Sequence, residues 1–526
     1  MIQAVNVSLQ YGKRVLFKDV NLKFLPNECY GIIGANGAGK STFLKILSGE
    51  IAPNKGEVIV GKKERVSTLS QNQNAFDKLS VVNTVIGGHS RLAKIMEEKE
   101  KYYALTDFTE EQGNALAELE GEFAELDGWE ADPNARVMLS GLGVEEKYHD
   151  MPMGELDGKV KVKVLLARAL FGNPDILILD EPTNNLDLNG THWLEEFLLD
   201  FKNTVIIVSH NRHFLNKVCT HICDVDYSQI NMFVGNYDFW YETSQLLLRQ
   251  QKEANKKAEA RADELKEFIA RFSANASKSR QATSRKKELE KLTIEDIKPS
   301  SRKYPYINFE CEREVGNEIL AVQNLTANGY FKNVSFRINR GEKVVFLTDK
   351  SVIIDKLFNC ITGEDRADSG EVMVGKTITT SYLPQNYDKY FDGIKLNLLD
   401  WLKQYSKDTN EMFIRSWLGR MLFSGEEALK TANVLSGGEK VRCMLAKTML
   451  KQGNLLVMGE PTNHLDLESI TALNEGMKKY RGVMLFYTSD EEIMQTVATR
   501  VIEVNENRFV DKQMTYDEFV EWQKKK

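Results

Sequence analysis

The sequence predicts an α/β protein in which two tandem copies of one strand-loop-helix domain are joined by a long α-helical hairpin. Three observations carry that expectation. Landmark residues recur in register in the two halves, an apolar run of strand length feeds a glycine-rich loop in the first half, and a stretch nearly free of glycine and proline separates the halves. At 526 residues the chain exceeds what one hydrophobic core usually serves, so several domains are expected.

The repeat is visible as arithmetic. Gly34 and Thr348 lie 314 positions apart, as do Gln71 and Gln385, whereas Leu156 and Leu435, Asp180 and Gly459, and His210 and Ser489 are each separated by 279. The difference of 35 is a net insertion in the first half between Gln71 and Leu156. Both copies close alike, on Tyr237-Asp238-Phe239 and on Tyr516-Asp517-Glu518-Phe519. The expected domains are 1–236, with a helical arm at about 88–130, then a linker at 237–305 and a second copy at 306–526.

Taken in chain order, the first element of consequence is Gly34-Ala35-Asn36-Gly37-Ala38-Gly39-Lys40-Ser41-Thr42, a full P-loop between an apolar run ending at Ile33 and a predicted helix from Lys40. Glycines let backbone N–H groups point at phosphate oxygens, the helix N-terminus adds positive potential, and Lys40 neutralises the β and γ phosphates. The Ser41 hydroxyl is placed for a magnesium ion. Within the insertion, Leu92, Ile95, Met96, Tyr103, Leu116, Leu119 and Phe123 recur at mainly helical spacing among many acidic residues, which predicts an acidic helical hairpin over Ser90 to Asp127. Further on, Ile176-Leu177-Ile178-Leu179 is a buried strand ending in Asp180 and Glu181. There Asp180 would hold the magnesium shell and Glu181 would polarise an attacking water. Gln71 and His210 stand at polar positions suited to the metal, the water and the γ-phosphate.

The linker has the composition of long helices. Tyr241 to Ile269 would extend about 40 Å at about 1.5 Å per residue, and Ser273-Ala274-Asn275-Ala276-Ser277 would turn the chain into a returning helix. Arg271, Lys278, Arg280, Arg285, Lys286, Lys287 and Lys291 face only Glu288 and Glu290 around this turn, making it the one distinctly basic segment. A net charge of -7 argues against a protein that coats nucleic acid with its whole surface, so local charge matters more than the total. Six cysteines without Cys-x-x-Cys spacing predict neither a metal nor a disulfide framework. Apolar runs are of strand length and no leader follows Met1, so a soluble, cytoplasmic chain without a separate C-terminal domain is expected.

Leu435-Ser436-Gly437-Gly438-Glu439-Lys440 matches the signature loop of ATP-binding cassette proteins, and Asp180-Glu181-Pro182-Thr183-Asn184-Asn185-Leu186-Asp187 matches their extended Walker B motif and D-loop. With two cassettes, a helical linker and an insertion in the first cassette, the whole chain resembles the ABC-F subfamily of ribosome-associated ATPases, most closely its YbiT-type branch. The linker stretch from Phe268 to Arg285 is especially similar. The resemblance implies two tandem ABC-type P-loop NTPase cassettes that pair head to tail within a monomer, each site joining one cassette's Walker motifs to the other's signature. Site one would combine Tyr11, stacking on adenine, with Gly34 to Thr42, Gln71, Asp180, Glu181 and His210, and with Ser436, Gly437, Gly438 and Glu439 opposite. ATP and Mg2+ are the implied ligands.

Site two would join the altered loop Thr348 to Lys356, Gln385, Gly459, Glu460 and Ser489 to the first signature, Leu156-Asp157-Gly158-Lys159-Val160. Here Ile354 stands for the lysine, Asp355 for the magnesium hydroxyl, Gly459 for the Walker B aspartate, Ser489 for the histidine and Asp157 for the signature serine. A carboxylate about 5 Å from a phosphate charge is repelled by on the order of 3 kcal/mol at an effective dielectric near 20, and Asp157, Asp349 and Asp355 would each contribute. Every departure falls in one composite site, while the second signature, which serves site one, is intact. One catalytic and one non-catalytic site are therefore expected.

For function, the resemblance implies an ATP-gated translation factor that binds the 70S ribosome near the E site. The linker would contact P-site tRNA and rRNA through Arg271, Phe272, Lys278, Arg280, Arg285, Lys286 and Lys287. A short linker favours housekeeping translation over antibiotic protection. The competing classes are an ATPase subunit serving a separate membrane transporter and a DNA-associated cassette ATPase. The long basic hairpin opposes the first, and the lack of a C-terminal coiled coil opposes the second.

Overall fold

The computed structural model describes residues 1–525 apart from 13, 36, 71, 105–108, 185, 273–283, 288 and 290–301. Each half is built on a six-stranded sheet. In the first half the order is Val66–Thr68, Ile176–Asp180, Thr204–Val208, Cys29–Gly34, His221–Asp226, Gln229–Val234. Neighbours run parallel except for the last pair. The central strands are buried almost throughout, which is why they read as unbroken apolar runs rather than as alternating ones. The second half repeats the order with Thr380–Leu383, Leu455–Gly459, Val483–Tyr487, Lys343–Leu347, Arg500–Val504 and Phe509–Lys512. A three-stranded antiparallel sheet accompanies each, centred on Ile2–Tyr11 and on Leu320–Ala327. Because the strands are parallel, Gly34, Asp180 and Val208 all end on one edge of the first sheet, the edge where such folds bind ligands.

The insertion forms helices Ser90–Tyr103 and Glu110–Glu125, the second opened by a capping box between Thr109 and Gln112. Leu92, Ile95 and Phe123 reach into the core of the first cassette. The base of the arm is further tied by Lys99, whose Nζ lies 3.8 Å from the centre of the Phe123 ring and 4.8 Å from that of Trp129.

The linker helix differs from the expectation at both ends. It runs from Tyr237 to Phe272, 36 residues or about 54 Å, instead of Tyr241 to Ile269. Packing explains the early start, since Tyr237 and Trp240 are buried in the first cassette's core before the composition turns helical. Arg271 and Phe272 accordingly occupy the last turn of this helix, not the connecting turn. Residues 284–287 are helical again, whereas Ser273 to Ser277, Lys278, Arg280 and Lys291 lie outside the described residues.

The halves touch directly. Leu467 of the second cassette is 4% exposed within the first cassette's core, Arg212 pairs with Glu492 at 2.9 Å, and His192 and His213 both contact Glu491. Among the described residues no helix is long and apolar enough to cross a membrane.

Candidate functional site

The P-loop connects the strand Cys29–Gly34 to the helix Lys40–Leu47. Gly34 has φ 154°, and a Cβ there would sit 2.6 Å from the Val225 carbonyl oxygen, so glycine is required. Lys40 Nζ folds back on the loop, donating to the carbonyls of Gly34 at 2.7 Å and Ala35 at 3.3 Å. A second cation, Arg14, donates to Gly37 O at 2.7 Å. Sequence motifs gave no sign of Arg14, which belongs to the antiparallel sheet beside the loop. Asn36 and Gln71 lie outside the described residues.

Asp180 closes its strand, and Glu181 follows with φ 50°, its N–H held by the Val208 carbonyl at 2.8 Å. The Glu181 carboxylate accepts from the His210 N–H at 3.3 Å, and its other oxygen lies 3.4 Å from His210 Nε2. Burial pushes the Glu181 carboxyl up to about 8 against the opposing field of Lys40, and burial drives the His210 imidazole down to about 3. The residues fit a cation-bound triphosphate. Glu181 Oε1 and His210 Nδ1 are buried without a hydrogen bond, and Lys40, Ser41, Thr42 and Asp180 line the same space. A divalent cation at Ser41 and Asp180 would draw Glu181 toward its ionised, proton-accepting form.

The opposite wall of this cleft, which encloses about 1440 Å3, comes from the second cassette through Ser436, Gly437, Gly438 and Glu439. Ser436 caps the helix Gly437–Leu450. A Cβ on Gly437 would meet the His464 ring at 2.9 Å, and one on Gly438 would meet its carbonyl at 2.6 Å, so the signature glycines admit the D-loop of their own cassette. Glu439 is occupied otherwise than the sequence implied. Its carboxylate accepts from Ser436 N at 2.9 Å and from Lys430 Nζ at 2.7 Å, so it braces the signature loop instead of being free for the nucleotide. Tyr11, 55% exposed, borders the cleft.

The second site opens onto the same cleft through Asp157, Lys159, Val160, Asp349, Lys350, Gln385, Glu460 and Ser489. Its loop is shorter than its sequence predicted. The helix begins at Ser351, the register of Gly37, so what is a glycine loop in the first cassette is a helical turn in the second. The two donors just before it are spent internally, Asp349 N on Asn505 Oδ1 at 2.8 Å and Lys350 N on Thr348 Oγ1 at 3.3 Å. Ile354 is 1% exposed in the apolar core, and Tyr487 lines the cleft in the register of Val208. Burial pushes the Asp355 carboxyl up and the Glu460 carboxyl up to about 7, against N–H and hydroxyl donors from Ser489 at Glu460.

Of the linker residues, Lys286 and Lys287 are exposed and Arg285 is half-buried. Asn463, His464 and Leu465 also line the cleft. Their signal was the repeat itself, since His464 to Asp466 align with Asn185 to Asp187.

Two P-loop sheets on one chain, each facing the other's signature helix, define a tandem ATP-binding cassette protein. A family profile described as ABC transporter matches residues 17–184 and 331–463, and a second profile described the same way matches 223–309. The chain belongs to this family and, within it, to the ABC-F ATP-binding proteins. It is 58% identical to the uncharacterized ABC transporter ATP-binding protein YkpA of Bacillus subtilis, covering 99% of this chain and 97% of that one. It is 42% identical to the probable ATP-binding protein YbiT of Escherichia coli O157:H7, covering 99% of each. Among solved structures, the archaeal ribosome recycling factor aABCE1, in complex with the stalk protein aP1, shares the tandem-cassette fold. That likeness has TM-score 0.62 at 16% identity over 98% of this chain and 92% of that one. ATP binding and hydrolysis follow from membership of the family.

Proposed function

We propose that this chain is an ATP-gated translation factor that burns ATP at site one alone. The observation that carries the single-site reading is the replacement of the second glycine loop by a helical turn whose neighbouring N–H groups are already satisfied. In site one, Lys40 and the loop amides of Gly34 to Thr42 bind the phosphates, while Ser41, Asp180 and Gln71 hold magnesium. Glu181 takes the proton of the attacking water, His210 orients the γ-phosphate, Tyr11 stacks on adenine, and Ser436, Gly437 and Gly438 close the site from the other cassette. Site two serves as a non-catalytic contact between the cassettes.

The 70S ribosome is the proposed partner. Support comes from ABC-F membership, from the recycling-factor neighbour, and from exposed Lys286 and Lys287 beside the basic linker turn. Closure on ATP would set the linker, and with it Arg271, Phe272, Lys278, Arg280, Arg285, Lys286 and Lys287, against tRNA and rRNA phosphates and bases. The protein would act as a monomer in the cytoplasm without a membrane subunit. Sucrose-gradient sedimentation of the Glu181→Gln variant with ATP tests this. Comigration with 70S particles that weakens with salt is expected, and migration free of ribosomes at low salt would sink the reading. Counting nucleotides in the same trapped protein tests the site assignment, with one Mg-ATP per chain expected and two overturning it.

A further inference from the structure

Both ends of the linker meet the second cassette at one short stretch. Leu467 and Glu468 open the helix Leu467–Lys479 directly after the D-loop residues Asn463, His464 and Leu465 that border the ATP cleft. Leu467 packs in the first cassette's core with Tyr237 and Trp240 from the start of the linker helix, and its carbonyl accepts from Arg212 Nη2 at 3.4 Å. Arg302, at the far end of the linker, completes the joint. Its guanidinium lies 4.5 Å from the centre of the Trp240 ring, its Nη2 donates to Asp224 of the first cassette at 2.6 Å, and its Nε stands 2.9 Å from Glu468 of the second.

These charged side chains are between 6% and 16% exposed. A cation held at such depth by one carboxylate from each cassette fixes a geometry, because moving either carboxylate leaves a desolvated charge behind. Glu468 also feels the P-loop lysine, since Lys40, Asp466 and Glu468 act on one another electrostatically. By position the carboxylate joins the helix that follows the cleft-lining D-loop residues to the far end of the linker. Nothing in the sequence marks Arg302, a single arginine after the helical region.

We infer that Arg302 is a positioning residue that passes closure of the first ATP cleft to the helical linker through Glu468. This rests on site one being the ATP site that closes. When the second cassette's signature and D-loop move onto nucleotide, Glu468 moves with them at the head of its helix. Arg302 follows Glu468, and Trp240, whose ring centre lies 4.5 Å from the guanidinium, follows Arg302. The start and the end of the linker are therefore turned together, while Asp224 keeps the joint anchored on the first cassette.

The test uses the full chain with Glu181→Gln to trap ATP and Cys311→Ser to leave only buried native cysteines. One spin-label pair at Glu57 and Lys257 reports the linker against the first cassette, and another at Glu57 and Lys479 reports closure of the cassettes. ATP should shift both distances in this parent. In Arg302→Gln, and in Glu468→Gln from the other side, ATP affinity should stay within about threefold and the cassette pair should still close. The linker pair should no longer respond to ATP. A merely structural role for Arg302 would lower the melting temperature and leave the linker response intact. A folded variant of either kind that keeps the ATP-dependent linker shift overturns the inference. A parent that binds no ATP overturns instead the assignment of site one, a failure visible before Arg302 is changed.

Discussion

Glu181 and Glu460 occupy the same strand end in the two halves, both with positive φ and both lifted by burial, to about 8 and about 7. What differs is the company each keeps. Glu181 shares its cleft with Lys40, Ser41, Asp180 and His210, whereas Glu460 faces Ser489 and has Gly459 where the metal-binding aspartate would stand. Glu181→Gln should therefore lower ATP turnover by about 10²–10⁴-fold while ATP still binds, read by phosphate release and by equilibrium dialysis. Glu460→Gln should leave turnover within about twofold, and a larger loss would assign site two a catalytic part. Restoring the missing lysine should not restore the site. Ile354 lies in the apolar core, so Ile354→Lys should cost roughly 3 kcal/mol in a urea melt and leave the nucleotide count at one.

Among elements, the pair of helices Arg212–Val218 and Glu491–Val497 shows how the cassettes are held away from the nucleotides. Glu491 receives His192 and His213, and His213 also faces Glu195, which Lys217 binds at 2.7 Å. Hydrogen bonding to these carboxylates raises both histidines above their ordinary value. A group whose folded pKa is raised contributes stability that is full below its unfolded value, near 6.5, and is lost as pH rises through the folded one. Partial exposure of both rings limits the size of the effect. The melting temperature of the parent should exceed that of His192→Gln/His213→Gln more at about pH 6 than at about pH 8.5. An equal gap at both values would mean that the rings act only by packing. The same scale shows where sequence reading falls short. Composition located the linker helix yet missed its first turn, because Tyr237 and Trp240 are held by tertiary contacts that no helix propensity registers.

At the scale of the whole molecule, one catalytic nucleotide per closure has a kinetic consequence. The ATP dependence of hydrolysis should be hyperbolic, with a Hill coefficient of about 1, because one functional site has no second with which to cooperate. Steady-state rates across ATP concentration check this, and a sigmoidal curve would require a second nucleotide.

The two-copy architecture, the apolar strands leading to Gly34 and Asp180 and the residues of site one that line the cleft were legible because a phosphate cradle needs glycines, a lysine and strand-end carboxylates at fixed spacings. The five replaced elements of site two were legible for the same reason. Covalent spacing fixes such local chemistry before the chain folds. Residues that act by meeting across distance were not legible. Arg14 on the P-loop, Glu439 turned to Lys430, Ser351 extending a helix where a loop was expected, and Arg302 between Asp224 and Glu468 follow no local pattern. The partners of Arg14, Glu439 and Arg302 lie from nine to well over one hundred positions away, and tertiary packing, within a cassette for the first two and between the cassettes and the linker for Arg302, decides which charges and donors are left to meet.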